Sequence, residues 1–238
     1  MCLILLGVNP DADHRLVVAA NRDEFYARPT ARAAWWDHAP DVLGGRDLKA
    51  GGTWLGVTRG GRFAAVTNFR EEPPDPLPPR SRGALTADFL TSRTSPADYL
   101  EQIRPIADEF RGFNLIVADP ATVLYFSNRD EQVRELTSGF YGLSNQLLNC
   151  NWPKVNRGRK QLSRLGESGF DADDLFSLIF CDGDGEPYSQ SFIATETYGT
   201  SASTVVRIAN DGDVYFEERN FGPEGTPDAI YTFEFNVA

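Results

Sequence analysis

Cysteine and histidine are scarce in this chain of 238 residues. It contains three cysteines, Cys2, Cys150 and Cys181, and two histidines. An odd number of widely spaced cysteines fits neither a disulfide framework nor a zinc site, so we expect no metal centre and a reducing, cytoplasmic location. Long apolar runs are also missing, because no stretch approaches the ~18–20 apolar residues of a transmembrane helix. The sequence therefore predicts a protein without a membrane span.

Basic residues are outnumbered by acidic ones. The chain has 23 lysines and arginines against 34 aspartates and glutamates, which gives a net charge of -11. Because nonspecific nucleic-acid binding requires a basic surface, this balance argues against a nucleic-acid partner. The length suits one large domain or two small ones, and we expect a single domain over residues 1–238.

The first two dozen residues organise the rest of the sequence. Cys2 precedes an apolar run, Leu3–Val8, and a second apolar run covers residues 17–20. The segment between them, residues 9–11, has the Asn-Pro-Asp composition of a turn. If the two runs pair as antiparallel strands, the polar residues 21–24 return to the side of Cys2.

Cys2 is a candidate nucleophile. A free thiol titrates near pH ~8.5 and needs a base to react at neutral pH. Removal of Met1 would give Cys2 a free α-amino group with a pKa of about 7.7–8.0, which could act as that base. Neither His14 nor His38 is placed by sequence to form a Cys–His pair. The alternative interpretation is that Cys2 is a small apolar residue that opens a buried strand.

The order of predicted elements favours an α+β fold. Ser81 caps a helix through about Leu90, Ser95 caps another with Pro96 at its first position, and Asp171 caps a helix through about Phe180. A further helix covers residues 153–165. No repeated βαβ unit appears, so we expect mostly antiparallel sheets with helices on their outer faces. The predicted strands cover residues 51–58, 63–68, 113–118, 123–127, 133–137, 203–209, 214–220 and 231–237.

Three segments are predicted to lie outside helices and strands. We interpret residues 26–50 as mostly loop with aromatic anchors and residues 140–145 as a glycine-containing turn. Residues 71–80 contain five prolines, which exclude a helix, so we expect an extended surface loop there.

Two features leave alternatives open. Lys154, Arg157 and neighbouring basic residues fall on one side of the predicted helix 153–165, as either a solvated face or a site for an anionic substrate group. The pair Gly51-Gly52 marks either a tight packing corner or a backbone contact to substrate.

An ordered set of short motifs covers nearly the whole chain. It comprises Met1-Cys2, Asn-Arg-Asp-Glu at residues 21–24, Gly-Gly-Thr-Trp-Leu-Gly at 51–56, Thr-Asn-Phe-Arg at 67–70, Gly-Leu-Ser-Asn at 142–145, Trp-Pro-Lys-Val at 152–155 and Tyr-Gly-Thr at 198–200. Together these motifs resemble the NRDE family, also called the transport and Golgi organisation protein family. The resemblance implies an N-terminal nucleophile hydrolase-like fold, a four-layer αββα sandwich of mostly antiparallel sheets.

The resemblance also implies roles for individual residues. Cys2 would be the nucleophile and Asp23 the carboxylate that orients it. Asn68 and Asn145 would contribute to the oxyanion hole, where an amide donor can be worth about 3–4 kcal/mol. Substrate contacts would come from Asn21, Arg22, Glu24, Trp54 and Arg70.

Two positions differ from the related sequences. Ala20 stands where the amidases with an N-terminal nucleophile hydrolase fold carry an arginine. Ser201 stands where NRDE proteins commonly carry an arginine.

Our first functional hypothesis is a cysteine amidohydrolase that acts on a small linear amide without a cofactor. The second, implied by the resemblance, is a non-catalytic carrier that binds haem or a lipid or acyl-CoA ligand. A glutamine amidotransferase subunit is a weaker third option, since it would need a synthase partner. The sequence leaves the oligomeric state open.

Overall fold

The computed structural model describes residues 2–71 and 80–237, and the chain within it divides into two compact units. The first unit comprises residues 2–28, 137–144 and 148–236. The second comprises residues 29–71, 80–136, 145–147 and Val237. Among these residues, each unit contains one antiparallel sheet and two α-helices. The prediction of a single domain stays a prediction.

Strands and helices are numbered here in chain order. The helices are α1 (Arg82–Thr91), α2 (Pro96–Ile103), α3 (Pro153–Leu165) and α4 (Ala172–Ile179), with short 3-10 turns at Arg104–Glu109 and Pro223–Gly225. The strands are β1 (Leu3–Val8), β2 (His14–Phe25), β3 (Thr30–Trp36), β4 (Ala39–Asp47), β5 (Leu55–Thr58), β6 (Phe63–Asn68), β7 (Phe113–Ala118), β8 (Val123–Ser127), β9 (Val133–Glu135), β10 (Gly139–Leu143), β11 (Tyr198–Ala209), β12 (Asp213–Phe221) and β13 (Pro227–Asn236).

The sheet of the first unit has the order β10-β1-β2-β11-β12-β13. β1 and β2 pair antiparallel through the predicted turn, which confirms that prediction. Alternate residues of these strands, Leu3 and Leu5 on β1 and Val17 and Ala19 on β2, join one apolar core with Phe176 of α4. The two-residue period of a strand places these side chains on the face that α3 and α4 cover.

The sheet of the second unit is a meander, with the strands β3 to β9 in consecutive order. Its core contains Phe113, Leu115 and Val117 from alternate positions of β7, packed with Leu85 and Phe89 of α1. This consecutive order follows from short connections, because neighbouring antiparallel strands need only a tight turn between them.

The helix predictions are confirmed in position. Ser81 and Asp171 precede α1 and α4, and α3 has the predicted bounds. The Ser95 hydroxyl accepts a hydrogen bond from Asp98 N at 3.1 Å, and Pro96 is the first helical residue of α2. The Asp171 side chain also caps α4, whereas Ser81 stands at the N-cap position of α1 without a side-chain capping hydrogen bond.

The prediction that residues 26–50 form mostly loop is wrong, because β3 and β4 lie there. Their pairing shifts register twice, which interrupts the polar–apolar alternation that identifies a strand. Gly44 within β4 also obscures it. A β-carbon at Gly44 would lie 2.7 Å from the carbonyl oxygen of Leu55, so this glycine permits close strand contact rather than a turn.

The prediction of a turn at residues 140–145 is also wrong for most of that segment. β10 pairs with β1, and Leu143 lies opposite Ile4. A β-carbon at Gly142 would lie 2.8 Å from a methyl group of Val155, so this glycine allows α3 to approach the strand. The predicted proline-rich surface loop lies almost wholly outside the described residues.

The strand predicted over residues 51–58 is shorter than expected, because β5 begins at Leu55. Gly51 has a φ of +82°, and a β-carbon at Gly52 would lie 2.2 Å from the carbonyl carbon of Gly83. Gly51-Gly52 thus forms a tight corner against the first turn of α1. Within the described ranges, no helix combines the length and apolar character needed to cross a membrane.

Candidate active site

Cys2 lies at the end of a central strand of the first unit, fixed by neighbours on both sides. Leu3 pairs with Asn21 of β2, and Ile4 pairs with Leu143 of β10. The Ser144 hydroxyl donates a hydrogen bond of 2.5 Å to the carbonyl oxygen of Cys2. The backbone of this partly exposed residue is therefore held in place, as positioning a nucleophile requires.

Asp23 is the carboxylate that the strand pairing brings to the same end of the sheet. It is 7% exposed, and its Oδ1 accepts a hydrogen bond of 2.8 Å from the hydroxyl of Thr200, its partner on β11. Burial raises the pKa of Asp23, while the Thr200 hydrogen bond and the charge of Lys154 oppose that rise. Asp23 is thus a buried acid whose charge depends on its immediate partners.

Lys154 is a buried cation next to this carboxylate. Its side chain is 0% exposed, and its Nζ makes no hydrogen bond with any residue in the described part of the chain. Burial lowers the pKa of Lys154, whereas the charges of Asp23, Cys2 and Cys150 oppose that lowering. The interpretation of a solvated helix face is therefore wrong for Lys154, although Lys160 on the same helix is exposed.

Asn21 is saturated by protein partners. Its Nδ2 donates to the carbonyl oxygens of Ile179 at 2.8 Å and Ser191 at 2.9 Å, and its Oδ1 accepts from the hydroxyl of Ser203 at 2.6 Å. These bonds tie β2 to the end of α4 and to a neighbouring strand. In this structure Asn21 holds the strand that carries Asp23 in place.

Arg22 and Glu24 form a polar chain along β2. Arg22 Nη1 donates to the Ser201 hydroxyl at 3.0 Å, and that hydroxyl donates back to the Arg22 carbonyl oxygen at 3.2 Å. The register of β11 shifts at Ser201, so a β-bulge directs this serine toward Arg22. Arg22 Nη2 lies 3.9 Å from a Glu24 carboxylate oxygen, which in turn lies 3.7 Å from Arg28 Nε.

The second unit contains the other predicted site residues. Asn145 is 4% exposed, and its Nδ2 donates to the backbone carbonyl oxygen of Asn68 at 2.9 Å. Arg70 N donates to the Asn145 carbonyl oxygen at 2.8 Å. Asn68 is exposed at the end of β6, and Arg70, two residues beyond the strand, is exposed as well. The structure therefore brings Asn68, Asn145 and Arg70 together.

Trp54 has a packing contact within the same unit. A β-carbon at Gly45 would lie 2.3 Å from the Trp54 ring, so the indole covers the backbone of β4.

His14 lies at the start of β2, at the opposite end of the β1–β2 pair from Cys2. Its ring forms a hydrogen bond with the Asp11 carboxylate.

Three residues around the candidate site were not predicted for it, namely Ser144, Lys154 and Thr200. Each belongs to a motif in the sequence, but a short motif does not show which of its side chains is buried against another strand. The strongest sequence signal for a buried site residue was Lys154, which directly follows the tryptophan-proline start of a helix in an otherwise acidic protein.

Comparison with solved structures defines the class of protein. The fold matches that of the Caenorhabditis elegans N-acylethanolamine-hydrolyzing acid amidase ortholog with a TM-score of 0.55, 13% sequence identity and coverage of 86% of this chain and 92% of the worm protein. At this identity the match shows the fold alone. The chain has the α+β, mostly antiparallel fold of N-terminal nucleophile hydrolases, which confirms the predicted fold class.

Sequence comparison defines the family. The family model described as Transport and Golgi organisation 2 matches residues 1–223. The mouse Transport and Golgi organization 2 homolog is 32% identical, and the cattle homolog is 34% identical, each across 100% of this chain and 99% of the relative. The chain therefore belongs to the Transport and Golgi organisation 2 family, as the motifs predicted.

Proposed function

We propose that this protein is a cysteine amidohydrolase that cleaves a small linear amide. The observation that carries the proposal is the placement of Cys2 at a fixed strand end beside the buried Asp23. The worm amidase, whose name states that it hydrolyses N-acylethanolamines, has the same fold and supports amide chemistry on it. The site is expected to act without a cofactor.

In the proposed reaction, the Cys2 sulfur attacks the amide carbonyl carbon. The thiol proton passes to the α-amino group that removal of Met1 would expose, and from there to the leaving amine. Water then attacks the thioester, which releases the acid and regenerates the thiol. Asn68 and Asn145 take the oxyanion role on the strength of the family resemblance, and Asp23 orients the amine.

The substrate-contact role is proposed for the residues whose polar atoms lie at strand ends. Arg22, Glu24 and Arg70 supply charge, and Trp54 supplies an aromatic surface. Asn21 is better explained as a positioning residue, since three protein hydrogen bonds already occupy its amide group.

The test begins with the intact mass of the native protein, purified without an N-terminal tag. A mass lower by one methionine is expected. The processed protein is then assayed on a panel of small linear amides of increasing acyl length, with Cys2→Ala as the test variant and Cys181→Ala as the control. We expect hydrolysis that Cys2→Ala abolishes and Cys181→Ala retains.

A protein that retains Met1, or hydrolysis that survives in Cys2→Ala, would contradict this mechanism. A processed protein that hydrolyses no amide but binds haem or an acyl-CoA equally well with and without the Cys2 thiol would support the carrier hypothesis instead.

A further inference from the structure

A buried lysine requires an explanation in terms of free energy. Removing an ammonium group from water costs several kcal/mol even after relaxation of the surroundings, and proteins offset this cost with an opposite charge or with hydrogen bonds. Lys154 Nζ makes no hydrogen bond within the described residues. Its Nζ lies 5.9 Å from the centre of the Trp152 ring, a cation–π contact, and the charges around it supply further compensation.

The helix holds Lys154 against the strand end that carries Cys2. α3 approaches β1 and β10 closely, because a β-carbon at Gly158 would lie 2.7 Å from Leu5 and one at Gly142 would lie 2.8 Å from Val155. Lys154 N also donates to the Tyr188 carbonyl oxygen at 3.2 Å. The first turn of the helix is thereby fixed, and the lysine side chain has little freedom to reach solvent.

Charges of both signs lie around Lys154 within the described residues. Asp23, Cys2 and Cys150 supply negative charge when ionised, and Arg157 supplies positive charge. Arg157 already donates to the Ser189 carbonyl oxygen at 2.6 Å and to the Ser191 hydroxyl at 3.2 Å. On β11, the Tyr198 hydroxyl donates to the carbonyl oxygen of Asp23 at 3.4 Å.

The charge of Lys154 affects which form Cys2 takes. An ammonium group near a thiol favours the thiolate form by Coulombic attraction, and burial of the ammonium strengthens this attraction because solvent screens it less. Replacing Lys154 with a neutral residue removes this favourable interaction and leaves the other charges, including that of Arg157, in place.

We propose that Lys154 is the buried countercharge that stabilises the thiolate form of Cys2. Lys154 acts through Cys2 and is a positioning residue. The inference rests on the proposed nucleophilic role of Cys2, but it concerns the thiol alone and needs no substrate to be tested.

The test measures alkylation of Cys2 by iodoacetamide as a function of pH. The protein carries Cys150→Ser and Cys181→Ser, so that Cys2 is the single thiol, and intact mass verifies that every variant has the same N-terminus. In this background Lys154→Met is the test variant. Lys160→Met, which removes an exposed charge from the same helix, is the matched control.

We expect Lys154→Met to lower the alkylation rate at neutral pH about tenfold and to move the midpoint of the rate profile up by about one pH unit, the equivalent shift on a logarithmic scale. Lys160→Met should leave both unchanged. An unchanged profile in folded Lys154→Met would overturn the proposal. Failure of every amide to be hydrolysed would contradict the proposed function without affecting this result.

Lys154→Gln provides a second measurement if Lys154→Met does not fold. Glutamine keeps a long polar side chain at this position but carries no charge, so the alkylation rate should fall and its midpoint should rise, as in Lys154→Met. An unchanged midpoint in folded Lys154→Gln would contradict the role of Lys154.

Discussion

Replacing Lys154 with methionine should make the stability of this protein depend on pH in a specific way. We expect Asp23 and Lys154 to hold one proton between them in the native protein, because the charge of each group offsets part of the burial cost of the other. In the unfolded chain between about pH 5 and pH 7 they also hold one proton, because the lysine is charged and the aspartate is ionised. The pair therefore contributes no pH dependence to the free energy of unfolding in this range.

The variant changes this balance. Without the countercharge, burial raises the pKa of Asp23 further above its usual 3.8, so the native state keeps a proton that the unfolded state releases. The raised pKa means that stability is present at low pH and is lost as the pH rises toward the native pKa. The free energy of unfolding should fall with rising pH in this window, by at most about 1.4 kcal/mol per pH unit, which is the limit for one proton.

The Asp23→Asn replacement should change the pH dependence of stability in the opposite direction. In Asp23→Asn, burial lowers the pKa of Lys154, so the unfolded state holds a proton that the native state lacks. Stability then rises with pH, by at most about 1.4 kcal/mol per pH unit, between the lowered native pKa of Lys154 and its unfolded pKa. The double variant should show no slope, because both titrating groups are absent.

The assay is urea unfolding of the wild-type protein and the three variants at a series of pH values, followed by circular dichroism. Slopes are compared relative to the wild-type protein, which removes the contribution of the other ionisable groups. Parallel curves for wild-type and Lys154→Met would refute the reasoning, since they would mean that Asp23 and Lys154 do not share their charge in the native state.

Four other residues give three independent predictions. Asn21→Asp places a carboxylate against two carbonyl oxygens and should lower the free energy of unfolding by about 3 kcal/mol or more, whereas a substrate-contact role alone would leave stability unchanged in denaturant titration. Gly52→Ala should lower the free energy of unfolding by about 2–3 kcal/mol, because the added methyl group would overlap the Gly83 backbone. Gly51→Ala is the control: it has open space but a φ of +82°, so it should cost only about 1 kcal/mol. Thermal unfolding of both variants measures the difference. The Arg62 guanidinium donates to the carbonyl oxygens of Phe89 at 3.1 Å and Thr94 at 2.7 Å. Arg62→Met leaves both oxygens without this donor and should lower the free energy of unfolding by about 2 kcal/mol. An unchanged melting temperature would contradict this prediction.

The candidate site was predictable in its parts. The antiparallel return of β2 follows from two apolar runs around a turn, so the proximity of Asp23 to Cys2 could be inferred from the residue pattern. The roles of Asn68 and Asn145 came only from the family resemblance and stay predictions. The hydrogen bonds of Asn21 could not be foreseen, because its partners on α4 and beyond lie more than 150 positions away in sequence.

The sequence alone determined the features that depend on near neighbours. Serine, proline and aspartate at helix starts located α1 to α4, and alternating apolar residues located most of the strands, because capping and strand periodicity act over a few residues. The ordered motifs were enough to identify the family.

Only the tertiary structure decided which polar groups are buried together. β3 and β4 were missed because two register shifts break their alternation, and pairing with a neighbouring strand is what makes them strands. Lys154 resembles any other charge on an amphipathic helix until α3 is placed against β1 and β10. Burial is a property of the assembled fold, so Lys154 interacts with the charges of Asp23 and Cys2 only in the folded protein.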